Sequence, residues 1–164
     1  MVGSSTAELR LRPAREDDLD YVVAAEADPD NAPFLAPSPR EEHLGFLRDP
    51  RQRHLIAEVG GRRVGFALLR LHPEDRAVEL RRIAVTEKGR GFGRATLRLA
   101  IEQAFEEHAA HRLWLDVKPH NDRARSLYLS AGFVEEGVLR DALYSGGRFE
   151  SLVVMSILRP EWTG

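Results

Sequence analysis

The segment "EKGRGFGRAT", Glu87 to Thr96, alternates glycine with cationic or bulky residues and then turns helix-friendly. A strand, a glycine-rich turn and a helix start together make an anion site. The first helical turn leaves main-chain N–H groups without partners, and the helix dipole adds partial positive charge there. Gly89, Gly91 and Gly93 carry no Cβ, so a phosphate could approach the backbone closely, with Arg90 and Arg94 at the rim. On the glycines alone, a tight turn that needs glycine and nothing more fits equally. Two named phosphate motifs are excluded. No Gly-Lys-Ser/Thr triplet occurs, so there is no P-loop. The dinucleotide spacing G-x-G-x-x-G fails in both registers, where its third glycine would fall on Arg94 or Thr96. What remains is Lys88-Gly89-Arg90-Gly91-Phe92-Gly93.

Other chemistries find little support. The chain has no cysteine, which removes disulfides, thiolate metal sites and a cysteine nucleophile, and which agrees with a reducing cytoplasm. Its six histidines show no H-x-x-x-H pair, so no metal site is expected. A formal net charge of -2 does not favour a nucleic-acid partner. No stretch approaches the roughly 20 apolar residues of a membrane span, and the N-terminus lacks the apolar run of a signal peptide.

The elements that must position the loop follow from periodicity. At 164 residues the chain reads as one domain spanning 1–164, with room for a sizeable core. "ELRLR" alternates as a strand that Pro13 stops, and residues 14–28 read as a helix with Leu19, Val22 and Val23 on one face. A proline-rich loop and a short helix with Leu44 and Leu47 on one side come next. "RHLIAEV" and "RVGFALLRL" flank Gly60-Gly61 as a hairpin, and "AVELRRIAV" leads as a strand into the glycine loop. An amphipathic helix with Leu97, Ile101, Ala104, Phe105 and His108 on one stripe follows it. "RLWLDV" is a strand, with Trp114 expected in the core. Residues 122–131 form a helix with Asn121 as N-cap and Gly132 as its stop. Two last strands join across Ser145-Gly146-Gly147, and Trp162 is expected to pack on a neighbour or a partner subunit. The sum is an α/β (α+β) fold, a largely antiparallel sheet with one parallel junction.

The strand "VELRRIAV" running into "KGRGFGRATLRLAIEQAF" resembles the main CoA-binding motif of the GNAT superfamily of acyl-CoA-dependent N-acetyltransferases. "LWLDVKPHNDRARSLYLSAGFVEEGVLRD" resembles that family's second motif, and "LRLRPAREDDLDYV" its first strand and helix. The similarity covers nearly the whole chain, with the motifs in order. Lys88 stands where the family more often has Gln or Arg.

The resemblance implies a mixed, mostly antiparallel sheet of about seven strands flanked by about four helices. It also implies acetyl-CoA as cosubstrate and transfer of its acetyl group to a primary amine of a small molecule or a protein N-terminus, by direct attack in a ternary complex. A non-catalytic acyl-CoA-binding module on the same fold is the alternative. By the family's pattern, Lys88, Gly89, Arg90, Gly91, Phe92, Gly93 and Arg94 cradle the pyrophosphate, with Thr96 near the end. Main-chain groups of Ile83, Ala84 and Val85 meet the pantetheine arm and the oxyanion. Asn121 and Arg125 are further cofactor contacts, alongside helix capping and a solvated face respectively. Glu79 is the candidate base, against a surface glutamate paired with Arg81 or Arg82. Tyr128 is the candidate acid and a cofactor contact, against a core aromatic. The acceptor site is expected between residues 28–49, which carry Asp28, Asp30, Glu41 and Glu42, and residues 141–148. A homodimer in the cytoplasm completes the expectation.

Overall fold

In a computed structural model that describes residues 7–164, seven strands form one sheet in the order β1-β2-β3-β4-β5-β7-β6. The strands are β1 Leu9–Pro13, β2 Gln52–Val59, β3 Arg62–His72, β4 Ala77–Val85, β5 Arg112–Val117, β6 Val134–Ser145 and β7 Arg148–Leu158. The helices are α1 Leu19–Ala27, α2 Arg40–Arg48, α3 Phe92–Glu102 and α4 Asp122–Ser130. β4 and β5 are the one parallel pair, and every other neighbouring pair is antiparallel. The expected fold class is therefore the one observed.

The sheet buries apolar side chains on both faces. Leu97, Ala100 and Ile101 of α3, Phe105 just beyond it and Tyr128 of α4 meet Val78, Leu80, Leu113, Leu115, Met155 and Ile157 on one side. Val22 and Ala25 of α1 meet Ile56, Phe66 and Ala84 on the other. Gly60 and Gly61 turn the β2–β3 hairpin with φ of 56° and 77°, a left-handed pair that glycine adopts without strain.

Several local expectations change. The first turn before α1 is a tighter 3₁₀ turn, Glu16–Asp18, rather than α-helix. There the Asp18 carboxylate accepts from the Arg15 main chain at 2.7 Å and from Arg12 and Arg63, which fixes the chain entry. On α2 the buried residues are His43 and Phe46, not Leu44 and Leu47, because His43 is drawn inward by buried polar partners. Trp114 is only half-buried, stacked 6.5 Å from His72 on the face away from α3. Trp162 packs within its own chain, 5.3 Å from Phe105 with Arg159 over its ring. α3 ends in a π-helical turn, Gln103–Glu107, that keeps Ala104 and Phe105 in the core while His108 is half-buried.

Candidate active site

The parallel junction opens almost as soon as it forms. β4 pairs with β5 only at Ala77–Arg112, Val78–Leu113 and Glu79–Trp114, while β5 runs on along β7 to Val117. From Leu80 onward the β5-facing edge of β4 has no strand beside it. A bulge lies at the same point. Leu69 of β3 faces Leu80 and Leu68 faces Arg82, so Arg81 is one residue too many. The extra residue reverses the alternation. Val78 and Leu80 face α3, as does Ile83, whereas Arg82 and Ala84 face α1. Glu79, between Val78 and Leu80, points to the α1 side.

The open edge of β4 exposes main-chain groups. Thr86 donates its N–H to Val64 O at 3.0 Å, so by strand alternation Ala84 and Arg82 also bond toward β3. The N–H and C=O groups of Ile83 and Val85 then face the gap. Consistent with this, Val85 O accepts from the Asn31 side-chain amide at 3.2 Å.

The glycine loop sits at the end of this edge. Gly89 and Gly91 have φ of 75° and 76°, and a Cβ on either would meet nothing within 4 Å. Gly91 is the N-cap of α3 and supplies no side-chain cap, so the first-turn N–H groups point outward unsatisfied by it. Gly93 lies against α4, its Cβ position 3.8 Å from Leu127 Cδ2. The three cations of the loop itself are each engaged. Lys88 Nζ donates to Asn31 Oδ1 at 2.6 Å, Arg90 pairs with Glu87 at 2.8 Å and lies over the Phe92 ring, and Arg94 donates to Ser130 Oγ. Thr96 is fully buried, and its hydroxyl has no hydrogen-bond partner among the described residues.

Three titratable groups gather near the split. Burial raises the Glu79 carboxyl above the usual carboxylate range; Arg81 opposes the rise and Asp116 adds to it. His72 Nε2 lies 3.7 Å from Glu79, too long for a hydrogen bond. The surface pairings considered for Glu79 are not made, since Arg81 donates to Gln52 Oε1 and Arg82 to Glu26 Oε2. Tyr128 is buried, tilted 5.7 Å from Phe133, and its hydroxyl has no hydrogen-bond partner among the described residues. Burial raises the phenol well above its ordinary value, and the Asp116 charge raises it further. Asp116 therefore acts on both groups, and desolvation by the surrounding protein raises its own carboxyl as well. Asn121 caps α4, its Oδ1 accepting from Ala124 N–H at 3.3 Å, and Arg125 donates to Glu135 and to Pro119 O.

Sequence reasoning missed two features. The first is Asp116; alternation in "RLWLDV" places it on the face of Trp114, which is the signal that could have found it. The second is a buried polar chain beneath the bulge. Glu26 is fully buried and pairs with Arg82 at 2.8 Å, while its other oxygen lies 2.5 Å from His43 Nε2. His43 Nδ1 lies 3.1 Å from His54 Nε2, and burial lowers His54 to about 4. Arg82 also donates to Ser38 Oγ at 2.9 Å. This chain ties α1, the segment before α2 and the bulged strand together. Residues 28–38 then strap across the split: Asn31 holds Lys88 and Val85, Lys118 donates to Pro33 O at 3.1 Å, and Phe34 lies 5.6 Å from His120. Of the expected acceptor-side acids, Asp30, Glu41 and Glu42 are exposed and Asp28 is half-buried. Among the described residues no three histidine, aspartate or glutamate side chains gather as a metal site.

The model of the Acetyltransferase (GNAT) family matches residues 14–133. The chain belongs to that family. By that membership it is an acetyltransferase. The spermidine N(1)-acetyltransferase of Vibrio cholerae is 30% identical over 118 residues, which are 71% of this chain and 64% of that protein. Its counterpart in Escherichia coli K12 is 23% identical over 96% of this chain and 90% of its own length. A putative ribosomal N-acetyltransferase of Bacillus subtilis is 38% identical over half of this chain and 45% of its own. The crystal structure of the Vibrio cholerae spermidine N-acetyltransferase with CoA and spermine aligns at a TM-score of 0.83, with 25% identity, covering 93% of this chain and 96% of that one. Acetyl-CoA is the acyl donor that fits these relatives and the glycine loop alike.

Proposed function

We propose that this chain transfers an acetyl group from acetyl-CoA to a primary amine of a small polycationic molecule, by direct attack in a ternary complex. The observation that carries the reading is the coincidence of three features at one place: the unpaired β4 edge, the bare α3 N-terminus at its end, and the carboxylates Glu79 and Asp116 on the opposite face. CoA bound in the gap would set its diphosphate against the main chain of Lys88 through Arg94, and its pantetheine arm beside Ile83 and Val85 as an added strand. Thr96 and Arg125 contribute through packing and through the Glu135 pair, and Asn121 holds the α4 start against the same site.

The substrate amine, with a free pKa of about 10, arrives mainly as an ammonium. Glu79, directly or through a water, takes the proton and leaves a neutral nucleophile. The amine attacks the thioester carbonyl, the N–C bond forms, and the outward-facing main-chain N–H of Ile83 or Val85 stabilises the oxyanion, whereas the Ala84 N–H is turned toward β3. The C–S bond then breaks. The departing thiolate, intrinsically near roughly 8.5, takes a proton from Tyr128, whose raised phenol stays protonated at working pH. The extra proton of the new N–C centre, released as the neutral amide forms, reprotonates the phenolate through water.

The spermidine-acetylating relatives and the acidic acceptor face support a polyamine; a protein N-terminal amine is the alternative acceptor. The non-catalytic alternative has no observation in its favour. A cytoplasmic setting, where acetyl-CoA is available, and a homodimer belong to the same proposal. The test is release of free CoA thiol with spermidine, spermine, amino acids, aminoglycosides and N-terminal peptides. Turnover greatest with the polyamines is expected. CoA binding without turnover on any amine would overturn the reading.

A further inference from the structure

A buried carboxylate is costly to keep unless it is paired, and Glu26, in the last turn of α1, is fully buried. One of its oxygens accepts from the Ser38 main chain at 3.2 Å and lies against His43 Nε2. The other accepts from Arg82 at 2.8 Å. The Arg82 side chain is itself only 11% exposed, and its second terminal nitrogen donates to Ser38 Oγ at 2.9 Å. Apolar residues of like size at the two positions would hold α1 to the sheet about as well. What a buried pair adds is a fixed partner for one particular side chain, and through it a fixed register.

The side chain that Glu26 fixes belongs to the bulge. Arg81 and Arg82 are consecutive, yet both guanidinium groups lie over the same Phe46 ring of α2, at 5.0 and 5.5 Å. Regular alternation would put one of them on each face of the sheet. Arg81 goes on to Gln52 Oε1 of β2 at 2.9 Å, and Arg82 to Glu26. Where the extra residue sits decides the phase of everything after it in β4. With the extra residue at Arg81, Ala84 bonds toward β3, and Ile83 and Val85 present their main chain to the gap. If the extra residue were taken up beyond Val85 instead, that phase would invert. Ile83 and Val85 would bond to β3, and Arg82 would enter the apolar layer of Leu97 and Ile101. Glu26 opposes the slip, because the slip would leave a carboxylate and a guanidinium buried apart.

We propose that Glu26 is a positioning residue: through Arg82 it pins the β4 bulge at Arg81, and so sets which main-chain groups of β4 meet CoA and the oxyanion. The inference rests on the acetyl-CoA reading of the β4 edge. Glu26 acts through Arg82 and does not touch the reacting atoms.

Glu26→Gln combined with Arg82→Met tests it, because the double variant loses the pin without leaving a charge buried alone. It should melt close to the wild-type chain. It should nevertheless bind CoA at least about tenfold more weakly by calorimetry, and its kcat at saturating acetyl-CoA should fall as well. Asp18→Asn supplies the control. It breaks another fully buried carboxylate, held by Arg12 at 2.8 Å and Arg63 at 2.7 Å before α1. It should lower Tm and keep CoA affinity within about twofold. Arg82→Lys keeps a charge beside Glu26 and therefore the fold, but an ammonium lacks the planar fork that spans Glu26 and Ser38. A smaller loss of CoA affinity is expected there. A double variant that binds CoA and turns over like the wild type would overturn the proposal and leave Glu26 as packing. Undiminished CoA affinity in Arg82→Lys would do the same, whether or not the double variant folds. An Asp18→Asn chain that loses as much CoA affinity as the double variant would reduce the effect to general stability, and so overturn it too. A wild-type chain that binds no CoA would instead bring down the acetyl-CoA reading itself, and this inference with it.

Discussion

Gly91→Ala separates the use of a bare backbone for binding from its use for turning. Gly91 has a φ of 76° and an empty surround. A methyl group there clashes with nothing in the chain, so the loss of stability is the left-handed backbone cost alone, about 1–2 kcal/mol. For a domain of this size that lowers Tm by roughly 2–8 °C. Gly61 supplies the matched control. Its φ is 77°, its Cβ position is equally empty, and it sits in the β2–β3 turn rather than in the loop itself. Gly61→Ala should therefore lose the same stability and keep its affinity for CoA. Gly91→Ala should lose at least about tenfold in affinity, or about 1.4 kcal/mol, because the methyl occupies space a phosphate oxygen needs. Calorimetry with CoA well below either Tm reads the two effects apart. Equal CoA affinity in the two variants would refute the cradle and leave the glycines as turn residues.

Glu79→Gln should cut kcat/KM most above the pH at which Glu79 ionises and below the amine pKa of about 10, where the base is charged and the substrate still arrives as ammonium, and it should flatten the acid limb; an unaltered pH profile would remove Glu79 from that role. Asp116→Asn takes away a negative charge that raises both Glu79 and Tyr128. Both groups then titrate lower, so the acid limb and the alkaline limb of the rate profile should both move to lower pH; limbs that stay put would mean the three groups do not communicate. Tyr128→Phe should lower kcat while leaving CoA affinity within about twofold, since the ring remains and only the proton donor goes. Unchanged kcat would leave Tyr128 as core packing.

Much of this was legible in the residues. Two-residue alternation in β2, β3 and β4, the Gly60–Gly61 turn, the α3 stripe and the Asn121 cap each carry a local signal, and each element stands near its expected place. Positions decided by long-range pairing were not legible. The Arg81 bulge depends on the register between β3 and β4, and it sends Arg82 toward α1 although a plain alternation would send it toward α3. Glu26 and His43 interrupt helix faces that look like ordinary apolar stripes; only contact between α1, α2 and β4 explains them. Asp116 became visible because the β4–β5 split leaves room around it, and the split is a property of the sheet rather than of either strand.

A crystal structure of the chain with CoA bound tests the central claim most directly. The account predicts the diphosphate oxygens within hydrogen-bond distance of main-chain N–H groups between Gly89 and Arg94, and the pantetheine arm alongside Ile83 and Val85. Phosphates bound by surface arginines elsewhere, with the β4 edge still empty, would contradict it.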